Sequence, residues 1–455
     1  FKQKTAYEIP LRLVGSEMCI RDRSSPGPTG ITYGWYKVFW ECIEDLMLKV
    51  ARNIFLTSKL PKSQNYGTIC LLPKQGKDKF YIENWRPLTL LSVGYKLISG
   101  VIAKRINDCL ETIIHIDQNG FVPKRNIADS LRNTQDIIEY TKLKKRTGML
   151  LLVDFKKAFD SIHHKFIYSS LRFFGFCESI VKWIEILIGD FYVSTNNGGR
   201  IGERFQLGQG CKQGDPISSA LFIIAIEILC IKLRKTQELK GLKIEGIKFL
   251  LSLFADDLTI FMEHDEQQLR LVVNILNNFK NLSGLEIQIS KTQLTVFGKK
   301  PQGGYKICEE INLQYKSDFK LLGILFDVNK DIQTEQEQAL IKLISKKAKH
   351  WSFRMSTPLG RAEIAKTYLL SQLNHYNSVH PISDKAIDEI RKIILWFIYK
   401  SKVTIGMYHA CARKAVGGFA FPDVRASMIA YNLSLIHISE PTRRRGISYA
   451  VFCLK

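Results

Sequence analysis

The sequence contains no Cys-x-x-Cys pair and no Cys/His group at zinc-ligand spacing, although it carries 10 cysteines. That excludes a zinc finger and argues against a disulfide scaffold, so the cysteines read as reduced thiols of an intracellular protein. Long apolar runs are also missing. The longest, Ile217 to Ile226, is interrupted by two serines and stopped by Glu227, well short of the roughly 18 residues that span a bilayer. Neither a membrane segment nor a secretory signal is expected. No internal repeat and no low-complexity linker divides the chain. Acidic residues are in deficit, with 43 Asp and Glu against 66 Lys and Arg in 455 residues.

Both ends read as foreign to any fold. A coding sequence for Lys2 to Ile9 has a reverse complement that encodes Ile447 to Leu454, and Leu13 to Asp22 stands in the same relation to Leu433 to Arg443. The expectation is that residues 1–23 and 433–455 are translated sequencing adapter flanking a core fragment. Without them the chain keeps about 409 residues, too many for one ordinary domain. Its net charge is still +18. This excess is spread along the chain, which points to a polyanionic partner, most simply nucleic acid.

Residues 33–59 and 88–114 carry helical apolar periodicity. Thr68 to Pro73 reads as a short buried strand leading into a basic loop from Lys74 to Lys79. Met149 to Val153 is a continuous apolar run, as a central strand covered on both faces requires, and it ends at Asp154. Asp160 is expected to cap the following helix. Asp215-Pro216 is a start signal for an apolar helix to Leu233. Strands at Phe249 to Phe254 and Leu258 to Met262 flank Ala255-Asp256-Asp257, a hairpin with two acids at its tip. A helix from Glu266 to Leu282 precedes strands at Leu294 to Phe297 and Leu321 to Phe326, and the chain beyond 333 is mainly helical and basic.

An aspartate after a buried strand is by itself an ordinary loop residue, and Asp-Asp in a hairpin is by itself a turn. If the two strands share a sheet, however, Asp154, Asp256 and Asp257 meet at one point, and such a cluster is costly unless cations neutralise it. Mg²⁺ prefers a few carboxylates plus substrate phosphates, and a pair of such ions clamps the two oxygens of phosphoryl transfer.

The run Leu151-Leu-Val-Asp-Phe-Lys-Lys-Ala-Phe-Asp160, with Gly210-Cys-Lys-Gln-Gly-Asp-Pro-Ile-Ser218, Phe254-Ala-Asp-Asp257, Ser283 to Thr292 and Leu321-Leu-Gly323, resembles the successive palm motifs of reverse transcriptases. Upstream, Ser25 to Ile31, Leu72-Pro-Lys74, Asn84-Trp-Arg-Pro-Leu88 and Gln118-Asn-Gly-Phe121 with Arg125 are similar to the fingers segments of LINE-type (non-LTR) retrotransposon enzymes. Gly360-Arg361 and Gly417 to Pro422 extend the resemblance to about residue 425. Thr29, Cys211-Lys212 and Gln288 depart from the family pattern, and none of them is a metal ligand.

The resemblance implies an α+β right-hand polymerase fold. Residues 24–148 would form an N-terminal extension and fingers, 149–326 the palm (reverse transcriptase domain about 54–326), and 327–432 the thumb and a following helical region. It implies an RNA-directed DNA polymerase with two Mg²⁺ ions (Mn²⁺ an alternative) on Asp154, Asp256, Asp257 and the backbone carbonyl of Phe155. Lys74, Arg86, Gln213 and Gly214 would meet the nucleotide, Phe159 would close the pocket beside the sugar 2′ position, and Lys291 would act as general acid. Solvated loop charges (Lys74, Arg86), a surface lysine (Lys291) and a core phenylalanine (Phe159) are the plainer readings of these residues. Partners would be an RNA template, a DNA primer or target and dNTPs. A nuclear location and a cytoplasmic ribonucleoprotein are both open. The alternatives are a catalytically silent RNA-binding derivative and a group II intron maturase, while Phe159 disfavours an RNA-dependent RNA polymerase. His163-His164 read as surface or cap residues, and Trp35, Tyr36, Phe39 and Trp40 as core.

Overall fold

The computed structural model describes residues 26–439, apart from 75, 245, 299–304, 355–356 and 401–405. Residues 1–23 and 440–455 of the expected adapter segments lie outside the described residues. A helix, Val424–Ser439, runs through position 433.

Apolar patterning sets the architecture. β1 (Tyr66–Pro73) and β2 (Trp85–Leu91) form an antiparallel hairpin. β3 (Gly148–Val153) follows two long helices, Val93–Ile113 and Ile127–Leu143. β4 (Tyr192–Asn197) runs parallel to β1, and β5 (Arg200–Ile201) and β6 (Phe205–Gln206) pair with β4. β7 (Leu242–Ile244) and β8 (Ile247–Phe249) make a small separate hairpin. β9 (Leu251–Phe254), β10 (Asp257–Met262), β11 (Gln293–Phe297) and β12 (Gln314–Tyr315) join β3 in a second sheet of order β12-β11-β3-β10-β9. β13 (Asp318–Leu321) and β14 (Ile324–Asp327) close a third hairpin before the helical C-terminal part.

β3 is apolar throughout because each face meets a different core. Met149, Leu151 and Val153 join one cluster, which is dominated by the nearly all-apolar helix Ser218–Lys235. Leu150 points the other way, into a cluster with Ile137 and Ile138 and with Leu340, Ile344, Ile390 and Ile394 of the C-terminal helices.

Several sequence expectations need correction. Residues 88–91 are strand, and the helix starts only at Val93, capped by Ser92. A run of leucines satisfies both periods, so the boundary was invisible. The helix expected over 33–59 breaks at Phe39 into Tyr33–Val38 and Trp40–Thr57. The strand expected over 249–254 is divided between β8 and β9. The one expected over 321–326 is a hairpin turning at Leu322-Gly323, where a leucine at φ +48 conceals the turn. Asp160 caps nothing: it lies inside the short helix Ala158–Ser161, and His163 precedes the next one. The apolar helix begins at Ser218 with Ile217 at its cap, so Asp215-Pro216 sits just outside it. Of the four N-terminal aromatics, Tyr36 and Trp40 pack on a small core, whereas Trp35 and Phe39 pair on the surface.

Candidate active site

The β3–β10 ladder brings the carboxylates together. Leu258 pairs with Val153 in antiparallel register, so the next rung sets Asp257 against Asp154, with both side chains on one face. Asp257 also closes the β9–β10 hairpin opposite Phe254. The turn is therefore only Ala255-Asp256, and the third carboxylate sits within it.

Burial and the clustering of carboxylates raise the pKa of Asp256 and Asp257. Burial, then the neighbouring Asp256 and Asp154, push the Asp257 carboxyl up to about 6. The residue is nevertheless exposed, so water screens part of the energetic effect. Asp256 is likewise raised, by burial and by Asp154, against the pull of its own backbone N–H. Asp154 Oδ2 is buried and accepts no well-aligned hydrogen bond. Lys291 Nζ lies 3.2 Å from it as an ion pair. Two raised acids beside a third carboxylate, that of Asp154, make a cluster that hard divalent cations would relieve. Among the described residues no three His, Cys, Asp or Glu side chains form a ready-made cage. Ions bound here would complete their shells with oxygens from elsewhere.

The segment after Glu286 straps this site to the sheet. Gln288 N–H donates to the Asp154 carbonyl at 2.7 Å, Lys156 N–H donates to the Glu286 carbonyl, and Thr292 Oγ1 accepts from Asp154 N–H. Carbonyls alternate along extended chain, so with that of Asp154 turned to this strap, the Phe155 carbonyl faces the β10 side, where Asp257 lies. Phe155 itself is buried.

Phe159, Gln213 and Gly214 form a second group. Phe159 stacks on Phe222 with centroids 4.4 Å apart and meets Phe121 edge-on. Its carbonyl accepts from Cys211 N–H, and Gln213 Nε2 donates to Asp160 Oδ1 at 3.3 Å. Burial raises the Asp160 carboxyl, with Gln213 and Lys157 opposing. Thr89 N–H of β2 donates to the Gln213 carbonyl. Gly214 has φ +113, and a Cβ there would lie 2.7 Å from the Thr89 carbonyl, so no other residue fits.

Lys74 and Arg86 are on the β1–β2 hairpin, in a different sheet from the aspartates. Lys74 Nζ folds back to the Glu83 carbonyl at 2.8 Å, while Arg86 is exposed three residues before Thr89. The link from this hairpin to the Gln213 loop is the Thr89 N–H of β2.

Sequence reasoning missed the support beneath the Gln213 loop. Lys212 is buried, with Nζ 2.8 Å from both Tyr95 Oη and the Leu187 carbonyl, 3.5 Å from Asp215 Oδ2 and 3.7 Å from the Phe191 ring centroid. Asp215 also accepts from Tyr95 Oη at 2.5 Å and from Ser99 Oγ. Burial pushes the Lys212 amine down to about 8 against the opposing pull of Asp215. His164 is no surface residue: it is buried against the Gly210 carbonyl at 3.0 Å, and burial lowers its pKa. The sequence signal for Lys212 was its adjacency to Gln213. Nothing in the sequence marked Tyr95 or Ser99, which lie more than a hundred residues away.

Comparison with known proteins gives the family of the chain. The family described as "Reverse transcriptase (RNA-dependent DNA polymerase)" matches residues 72–326. The chain is 30% identical over 265 residues to the Transposon TX1 uncharacterized 149 kDa protein of Xenopus laevis, covering 57% of this chain and 20% of that protein. It is 26% identical over 417 residues to the Pol polyprotein of the type-2 retrotransposable element R2DM of Drosophila melanogaster, covering 88% of this chain and 38% of that one. It thus spans between about a fifth and two fifths of these relatives' lengths. Among solved structures, apo telomerase from Candida tropicalis aligns with a TM-score of 0.45 at 14% identity, over 85% of this chain and 66% of that one, a likeness too distant to carry argument. With the family match covering more than half of its residues, the chain belongs to the reverse transcriptase family.

Proposed function

We propose that the chain is the polymerase core of a LINE-type retrotransposon, an RNA-directed DNA polymerase that extends a DNA primer on an RNA template. One observation carries this reading: the ladder register that opposes Asp154 and Asp257, with Asp256 in the adjoining turn. The sheet of β3 and β9 to β12 is read as the palm, the β1–β2 unit as part of the fingers and the helices beyond 333 as the thumb.

Asp154, Asp256 and Asp257, with the Phe155 carbonyl, would hold two divalent ions, Mg²⁺ by the hardness of the donors. When bound, such ions stabilise the attacking 3′-oxygen and the leaving pyrophosphate. The protein's own part is positioning and proton traffic. Gln213 and Gly214 offer a close backbone surface to the base pair, and Phe159 fills the space a 2′-hydroxyl needs. Lys74, just after β1, and Arg86, on β2, would meet the triphosphate. Lys291 would donate a proton to the departing pyrophosphate from its place beside Asp154.

Primer extension with dNTPs on an RNA template, with and without Mg²⁺, tests the proposal. Template-directed products that vanish with chelator are expected. RNA binding without extension under any divalent ion would identify a silent derivative instead.

A further inference from the structure

The turn that carries Asp256 is gripped by a residue from outside the sheet. Residues 117–119 run alongside β9: Leu253 N–H donates to the Asp117 carbonyl at 2.9 Å, and Asn119 N–H donates to the Leu253 carbonyl at 2.8 Å. Between them Gln118 is fully buried. Its Oε1 accepts from Ala255 N–H at 2.8 Å and its Nε2 donates to the Ala255 carbonyl at 3.2 Å. One side-chain amide thus satisfies both backbone groups of Ala255, as a neighbouring strand would. Ala255 has φ +58, the left-handed conformation that a residue with a Cβ resists, and the next residue is Asp256.

The clamp stands on a rigid base. Oε1 also accepts from Gly120 N–H at 2.8 Å, and a Cβ on Gly120 would lie 2.3 Å from Ala255 N, so the close approach requires glycine there. Asn119 Nδ2 donates to Ser130 Oγ at 2.7 Å. Arg125 donates to the carbonyls of Ile114, His115 and Gln118. Arg234 pairs with Asp117 Oδ2 at 3.0 Å and with Glu227, tying the segment to the apolar helix.

We propose that Gln118 is a positioning residue for catalysis: by holding Ala255 in its left-handed conformation it aims the Asp256 carboxylate at the metal site. The inference rests on the reading of Asp256 as a metal ligand. A glutamine serving only the fold would, when lost, lower stability without changing how the folded protein binds metal.

The test compares wild type, Gln118→Met, Ala255→Gly, the double variant and Asp256→Asn. Mn²⁺ affinity of the free protein is read by electron paramagnetic resonance, and single-nucleotide incorporation on an RNA template gives kcat and the dNTP KM. Gln118→Met should weaken Mn²⁺ binding and lower kcat by about 10- to 100-fold, the range for residues that support metal ligands, with KM within about twofold. Glycine takes positive φ freely, so Ala255→Gly in the Gln118→Met background should recover several-fold of both losses. Wild-type Mn²⁺ affinity and kcat in folded Gln118→Met overturn the inference, and so does absence of any rescue. If Asp256→Asn itself binds Mn²⁺ and extends normally, the metal-ligand reading is what fails. Should Gln118→Met not fold, Gln118→Glu, which keeps the acceptor but loses the donor, is judged by the same two readings.

Discussion

At the scale of single residues, the aspartates, Phe159 and Lys212 make separable demands. Asp154→Asn or Asp256→Asn should reduce extension below about a hundredth of wild type, beyond the 10- to 100-fold typical of residues behind a metal ligand. RNA affinity should persist, since distributed Lys and Arg supply it. Extension within a few-fold of wild type by either variant refutes the assignment. Phe159 packs between Phe222 and Phe121, and in the proposed role its ring would leave a 2′-hydroxyl neither volume nor a polar partner. Overpacking costs about 1 to 3 kcal/mol, so Phe159→Val should raise ribonucleotide use relative to deoxynucleotide use by roughly tenfold or more. An unaltered ratio in an active variant leaves Phe159 as a core residue only. Lys212 is paired in the interior, where removing one partner costs about 3 to 5 kcal/mol. Lys212→Met should lose about that much in urea unfolding, and Lys212→Met with Asp215→Asn distinctly less than the two single losses added. Simple additivity would show that the pair is not coupled.

At the scale of elements, the acid-bearing hairpin shows how far a sequence can be read. Its strands and acidic tip were legible because β3 is a short apolar run followed by Asp154 and β10 one that starts at Asp257. The hairpin at Leu322-Gly323 and the grip of Gln118 were not, since the first depends on a positive φ at a leucine and the second on a contact 137 residues along the chain. The ladder that gathers three acids also sets a pH dependence. The Asp257 carboxyl stands at about 6 in the fold against roughly 3.9 in an unfolded chain. A raised carboxyl favours the fold below the unfolded value, and that contribution is lost as pH rises through 6. After screening by water the loss is on the order of 1 kcal/mol, or about 2 °C in a chain of this size. Metal-free protein should therefore melt lower at pH 7.5 than at pH 4.5 by this component. Asp257→Asn should flatten the difference, and Mg²⁺ at pH 7.5 should raise the wild-type Tm more than that of the variant. Equal pH slopes in the two proteins would assign the dependence to other groups.

At the scale of the whole molecule, the basic excess has to be carried somewhere, and the helix Gln333–Ser352 shows one place. Lys342, Lys346 and Lys349 are exposed on it at spacings of four and three residues, hence on one face. Like charges so placed repel by a few tenths of a kcal/mol, a cost the isolated fold does not recover but a phosphate backbone does. Each phosphate neutralised on a single strand contributes about −0.7 to the slope of log K against log salt. Replacing all three lysines by glutamine should therefore make the slope for single-stranded RNA shallower by up to about 2. Melting temperature should hold or rise slightly, because the mutual repulsion is gone, and kcat at saturating template should stay within about twofold, because the aspartates lie in another element. Binding isotherms between roughly 50 and 200 mM salt measure this. A slope unchanged in the folded triple variant would remove this face from the RNA path and leave the charge at work elsewhere on the surface.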